Sequence, residues 1–237
     1  MSRLEVFGVE GIGEITPGVD LAGIIADAAL AQAEGMADGD VVVVTQKVVS
    51  KAEGQLVAVD PDDPLSHKAL VEAETVRVLR RRGDLVISET KHGFVCANAG
   101  IDLSNVELGF AALLPEDSDR SARRIRDGLR ARAGVDVAVI VSDTFGRTWR
   151  RGLTDVAIGC AGIGAILDQR GSTDTYGREL LVTEVAVVDE LAGAAELVMG
   201  KASGIPVAIV RGVDASWFRR GDVANEIVRP PHEDLFR

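Results

Sequence analysis

Apolar runs with almost no polar interruption recur along this chain and alternate with helical patterns, and no other feature limits its fold as strongly. Residues 41–45, VVVVT, follow Asp38-Gly39-Asp40 and read as a buried strand. Val137 to Val141 is a second such run. It breaks into Ser142, Asp143, Thr144, a glycine and then Arg147, Arg150 and Arg151. DLVISET and PVAIVRG read as further strands, and LLVTEVAVV as another, entered through the turn DTYGRE. Between them, Asp20 caps a helix running to about Ala33, with Leu21, Ile24, Ile25, Ala28 and Leu30 on its apolar side and Gly35 as its stop. PDDPLSHKALVEAETVRVLRRRGD reads as an acidic start, a helix to about Arg81 and a stop at Gly83. Ser121 to Ala133 reads as a helix stopped by Gly134. Asp189 caps another, running to Met199 and ended by Gly200, and RPPHEDLFR is a loop tail. The expectation is a compact mixture of α and β, with the strand order left open.

The net charge of -11 argues against a general binder of nucleic acid or anionic membrane. An anionic ligand must be met by a local basic cluster or by a metal. No apolar run approaches the roughly 18 residues of a membrane span. MSRLEVFGVEG carries no long apolar stretch of a secretory leader, so the expected location is the cytoplasm. Cys96 and Cys160 lie far apart without zinc-ligand spacing and read as two buried, reduced thiols.

Familiar nucleotide motifs are missing. Gly200-Lys201 imitates the end of a P-loop, but Ala195 stands where that motif needs glycine and Ala202 where it needs Ser or Thr. GCAGIG, residues 159–164, has no clear strand before it and reads as close packing rather than a dinucleotide turn. None of His67, His92 and His232 lies in a recognisable nucleophile context.

Two aspartates are more informative. Asp102 follows the apolar FVCA, Asp143 ends VAVIV, and each is followed by oxygen-bearing residues: Ser104 and Asn105, or Thr144. Hard cations such as Mg2+ and Mn2+ take such ligands and leave positions for phosphate oxygens. Taken alone, an aspartate there is more often a turn residue or helix cap. Lys47 and Lys51, four apart after the VVVV run, would share one face of a helical turn, which suits neighbouring phosphates; an ordinary solvated basic turn has the same pattern.

Together VVVVTQKVVSKAEGQ, KHGFVCANAGIDLSN, VSDTFGRTWRRGLTDVAIGCAGI and DTYGRELLVTEVAVVDELAGAAELVMGK…PVAIVRG resemble the coenzyme F420:L-glutamate ligase family, in order and over nearly the whole chain. The resemblance implies an α+β fold, with mixed sheets and packed helices in two intertwined subdomains and neither a P-loop nor a Rossmann core. It implies that residues 1–237 form one ligase domain without the nitroreductase-like flavin domain fused to some relatives. It implies a homodimer that uses GTP, L-glutamate and coenzyme F420-0, with Mg2+ or Mn2+ and K+ as a further cofactor. On this basis Asp102 and Asp143 would hold a first metal and Thr144 a second, with Asp102, Asp143 and Lys51 carrying the catalytic roles. Ile12, Gly13, Glu14, Ile15, Gln46, Lys47, Lys51, Asn105, Gly200, Lys201, Ala202 and Ser203 would contact GTP. One or more of Arg147, Arg150 and Arg151 would offset its charge. Family members can carry glutamine where this chain has Lys201. Two other readings stay open here: an amide ligase for a different acid acceptor, and a non-catalytic nucleotide-binding relative.

Overall fold

The computed structural model describes residues 3–235. Along the chain these form β1 (Glu5–Gly8), α1 (Leu21–Leu30), β2 (Val41–Thr45), α2 (Gln46–Ala52), β3 (Leu56–Ala58), α3 (Lys68–Glu74), β4 (Thr75–Arg82), β5 (Leu85–Thr90), β6 (Val95–Ala97) and β7 (Phe110–Ala112). Then come α4 (Ser118–Ala133), β8 (Ala138–Gly146), β9 (Leu153–Ala161), β10 (Leu167–Asp168), β11 (Glu184–Val185), α5 (Val187–Met199), β12 (Val207–Arg211) and α6 (Val223–Glu226). The mixed sheets and packed helices are those of an α+β fold, as expected.

A five-stranded sheet in the order β1-β12-β2-β8-β9 forms the centre. Side chains alternate across a strand, so a strand buried on both faces reads as an unbroken apolar run. Val42, Val44, Val139 and Val141 face one core with Ile25 of α1 and Leu129 of α4. Val41, Val43 and Ile140 face the other, with Leu191, Ala195 and Met199 of α5. Each buried valine contributes roughly 1.5–3 kcal/mol. The VVVVT and VAVIV runs are therefore sandwiched between helical layers. A separate meander, β4-β5-β6, packs on α3 through the small cluster Val71, Val86 and Ala99.

Several boundaries differ from the sequence expectation. The helix expected to reach Arg81 stops at Glu74, and Thr75–Arg82 is an edge strand paired with β5. Alternating Thr75-Val76-Arg77-Val78 favours a strand, and the Leu and Arg residues around it had masked that period. The strand expected over LLVTEVAVV shrinks to Glu184–Val185, because Val187 already opens α5. Asp189 is therefore not the cap; it sits in the first turn and accepts a hydrogen bond from the Ala157 N–H at 2.9 Å. The sequence shows no clear strand before GCAGIG, yet Leu153–Ala161 forms β9 and runs into it.

Other expectations hold. Asp20 accepts from Gly23 N–H at 3.0 Å, although α1 ends at Leu30 rather than near Ala33. Gly134 ends α4 in the left-handed region at φ +72°, although that helix starts at Ser118 under the cap Asp117. The described tail holds one short turn, Pro231–Glu233; residues 236–237 lie outside the described residues. Both cysteines are buried and free, and burial pushes the Cys96 thiol up to about 12. No described helix is long and apolar enough to cross a membrane.

Candidate functional site

Topology brings the site together. β2 and β8 are parallel, so their carboxyl ends lie side by side, Thr45 against Ser142. β12 runs antiparallel to β2, so it starts at this end, behind the loop holding Gly200 to Pro206. β1 runs antiparallel to β12, so it ends here too and delivers Ile12 to Ile15. β9 returns antiparallel to β8 and sets Asp155 opposite Thr144. Asp102 enters from outside the sheet, fixed by a backbone bridge to Ala112. These segments line one cavity of about 800 Å3. A cleft at the carboxyl ends of parallel strands is where ligands bind in open α/β sheets.

Six carboxylates line it, Glu14, Asp102, Glu107, Asp143, Asp155 and Glu196, against three ammonium groups, Lys47, Lys51 and Lys201. Lys47 reaches Asp102 Oδ2 at 2.7 Å and donates to Ser104 Oγ at 3.0 Å. Burial pushes the Asp102 carboxyl up, but Lys47 and the Ser104 N–H outweigh it and leave it below its ordinary value. Lys51 is buried and pairs with the exposed side chain of Glu14.

Asp143 is the opposite case. Its carboxylate accepts from the neighbouring Thr144 N–H at 2.8 Å. Burial first, then Asp102 and Asp155 nearby, push it up to about 7, against the pull of that N–H and of Lys201. Thr144 Oγ donates to Asp155 Oδ1 at 2.5 Å, and Ser142 Oγ donates to Asp155 Oδ2 at 2.9 Å. The Lys201 ammonium donates to the same Thr144 oxygen.

A half-buried carboxylate with two acids nearby fits a divalent cation at Asp143 and Asp102. Among the described residues no group of three or more His, Cys, Asp or Glu side chains is placed to hold a metal ion, so protein carboxylates alone would supply at most part of its shell. An open site with few carboxylates, completed by ligand oxygens, is the habit of Mg2+ rather than of Zn2+.

Most of the residues expected from the sequence line this cavity: Ile12, Gly13, Glu14, Ile15, Gln46, Lys47, Lys51, Asp102, Asn105, Asp143, Thr144, Gly200, Lys201 and Ala202. Gln46 is only partly available, since its amide nitrogen donates to Ser50 Oγ at 2.6 Å and to the Leu113 carbonyl at 2.9 Å, pinning α2. Ser203 is not in the lining; its hydroxyl donates back to the Met199 carbonyl. Arg147, Arg150 and Arg151 are not in it either. They sit at the β8–β9 turn, where Arg147 donates to the Arg151 carbonyl at 2.7 Å. His92 is half-buried and stacks on Phe94 at 5.9 Å, away from the cavity. Glu107, Asp155 and Glu196 also line it, and no motif marks them in the sequence. Asp155 becomes legible only once TDVAIGCA is paired with VIVSDT as a hairpin.

The chain is similar to known proteins. A sequence model of the F420-0:Gamma-glutamyl ligase family matches residues 11–212. The chain is 42% identical to the coenzyme F420:L-glutamate ligase of Methanothermobacter thermautotrophicus, over 99% of both chains. It is 43% identical to the protein of that name in Methanopyrus kandleri, over 94% of both. It is 40% identical to the one in Methanocaldococcus jannaschii, over 84% of this chain and 85% of the relative. Sequence motifs, fold and relatives converge, and the chain belongs to the F420-0:gamma-glutamyl ligase family.

Proposed function

We propose that this protein is a GTP-dependent ligase that joins L-glutamate to the free carboxylate of coenzyme F420-0 and then adds further glutamates through γ-linkages. Family membership supports the ligase and its substrates. The observation that carries the nucleotide reading is the charge pattern of the cavity, three lysines among six carboxylates. Such a pocket repels a bare triphosphate and accepts one that arrives with a divalent cation.

A carboxylate does not condense with an amine in water until it is activated. In the proposed sequence an oxygen of the acceptor carboxylate attacks the γ-phosphorus of GTP. The bond from that phosphorus to the β–γ bridging oxygen breaks and GDP leaves. The glutamate nitrogen then attacks the acyl carbon, the C–O bond to phosphate breaks, and the amine proton goes to solvent or to a cavity carboxylate. A divalent ion held by Asp102 and Asp143 would neutralise phosphate charge. Lys47 and Lys51 neutralise and orient the same anion, since positioning and charge compensation dominate phosphoryl transfer. Lys47 already holds Asp102 at 2.7 Å, so a lysine and a carboxylate of the proposed metal site meet in one corner of the cavity.

Incubation with GTP, Mn2+, L-glutamate and F420-0 is expected to give products heavier by one and then more glutamyl residues, with one GDP per addition. A product without GDP release would overturn GTP dependence, and no glutamylated product would overturn the ligase reading. Asp102→Ala is expected to abolish turnover. In the free protein the buried Lys51 pairs with Glu14, whose side chain is exposed. A charge-assisted phosphate contact is worth about 1.5–3 kcal/mol. Lys51→Ala should therefore weaken GTP binding roughly tenfold or more by calorimetry, and unchanged affinity would remove Lys51 from the site. Homodimerisation belongs to the same reading, and sedimentation measures it.

A further inference from the structure

We propose that the Lys201 ammonium is the resident cation at the Thr144 corner of the cavity, so that each chain holds its nucleotide with one divalent ion rather than two. The inference rests on the metal-nucleotide reading above and narrows it. Resemblance alone assigns Thr144 to a second metal; the surroundings of Thr144 in this chain do not fit one.

Three observations carry it. The Thr144 hydroxyl spends its proton on Asp155 Oδ1 at 2.5 Å, and Asp155 is held from its other oxygen by Ser142 Oγ at 2.9 Å. Thr144 Oγ therefore offers lone pairs only, and the group that takes them is a cation, the Lys201 Nζ. Lys201 is also anchored at its backbone, where its carbonyl accepts from Asn105 Nδ2 at 3.1 Å, directly after Gly200 ends α5 at φ +58°. Its charge falls within electrostatic range of both Asp143 and Glu196.

An ammonium has three donors and no lone pair, so it cannot ligate a metal. A divalent ion on Thr144 Oγ would have to displace it or sit against it. Lysine is a compact point charge on a flexible stem. Tethered here, it supplies without dissociation part of the charge that a second ion would bring. It can also turn from Thr144 towards a phosphate oxygen when nucleotide enters. A neutral amide at the same position would instead present an oxygen to an ion.

The test counts ions rather than turnover. The protein, saturated with a GTP analogue carrying a methylene between its β and γ phosphorus atoms, is titrated with Mn2+, and free ion is followed by electron paramagnetic resonance. Wild type is expected to bind one Mn2+ per chain and Lys201→Gln two. Lys201→Arg, which keeps the charge, should stay at one. Lys201 is exposed in a turn, so its replacement leaves both cores untouched. Two ions in wild type, or one in Lys201→Gln, would overturn the inference while leaving the metal-nucleotide reading intact. No Mn2+ and no analogue bound by any of the three proteins would overturn that reading and the inference with it.

Discussion

Asp143→Asn should raise the melting temperature of the metal-free protein at pH 8 while abolishing GDP release. Both effects come from one carboxylate. In the fold its ionisation is pushed up to about 7, mainly by burial, from the ordinary aspartate value of 3.8. A raised value means that the protonated form suits the fold and the charged form does not. The relative stability is full below about 4 and is lost as pH rises through about 7. Asparagine carries no charge and keeps an oxygen for the Thr144 N–H. Its advantage should amount to roughly 2–4 kcal/mol at pH 8, or about 5–10 °C for a chain of this size. The gap should shrink towards pH 5. Adding Mn2+ with GTP should stabilise wild type and not the variant. A melting difference that ignores pH would remove charge burial as its cause.

Gly159→Ala should be among the most damaging single-methyl changes in the chain. A Cβ at Gly159 would lie 2.3 Å from the Ser118 carbonyl carbon and 2.4 Å from its oxygen. Both are backbone atoms at the start of α4, and that start is tied to β9 by the Asp119 carboxylate, which accepts from Cys160 N–H at 2.8 Å. The helix cannot yield alone. Overpacking in cores typically costs 1–3 kcal/mol, occasionally more, and an immovable backbone partner puts this case at about 3 or above. Denaturant unfolding measures it, and a loss below about 1 kcal/mol would show that α4 can slide. The same contact explains GCAGIG: its first glycine is required by close packing and not by a bound cofactor.

Legibility in the sequence followed the period of each segment. VVVVT and VAVIV are buried on both faces, so their apolar runs are unbroken and their ends are sharp; Gln46, Lys47, Asp143 and Thr144 stood out for that reason. β9 begins with alternating polar residues and continues through Gly159 and Ala161, so it carried no such edge, and Asp155 went unnoticed within it. β4 hid behind helix-forming Leu and Arg until β5 paired with it. The arginines misled in another way. They follow Asp143 closely in sequence, but β8 continues to Gly146 and carries them past the cavity. Periodicity alone left the metal and GTP assignments open; the resemblance selected among them.

The pairing of β1 with β12 has a consequence for biosynthesis. Glu5 pairs with Arg211, so the first strand emerges from the ribosome about two hundred residues before its partner. At roughly 5–20 residues per second that is a wait of about 10–40 s. Ile12 to Ile15 hang from the same strand and line the cavity. During synthesis the acid end of the pocket, built from β8 and β9, has its sequence available earlier than the strand that seats this wall. A nascent chain stalled before β12 would thus carry Asp143 and Asp155 without the Ile12 to Ile15 wall that completes the cavity around them.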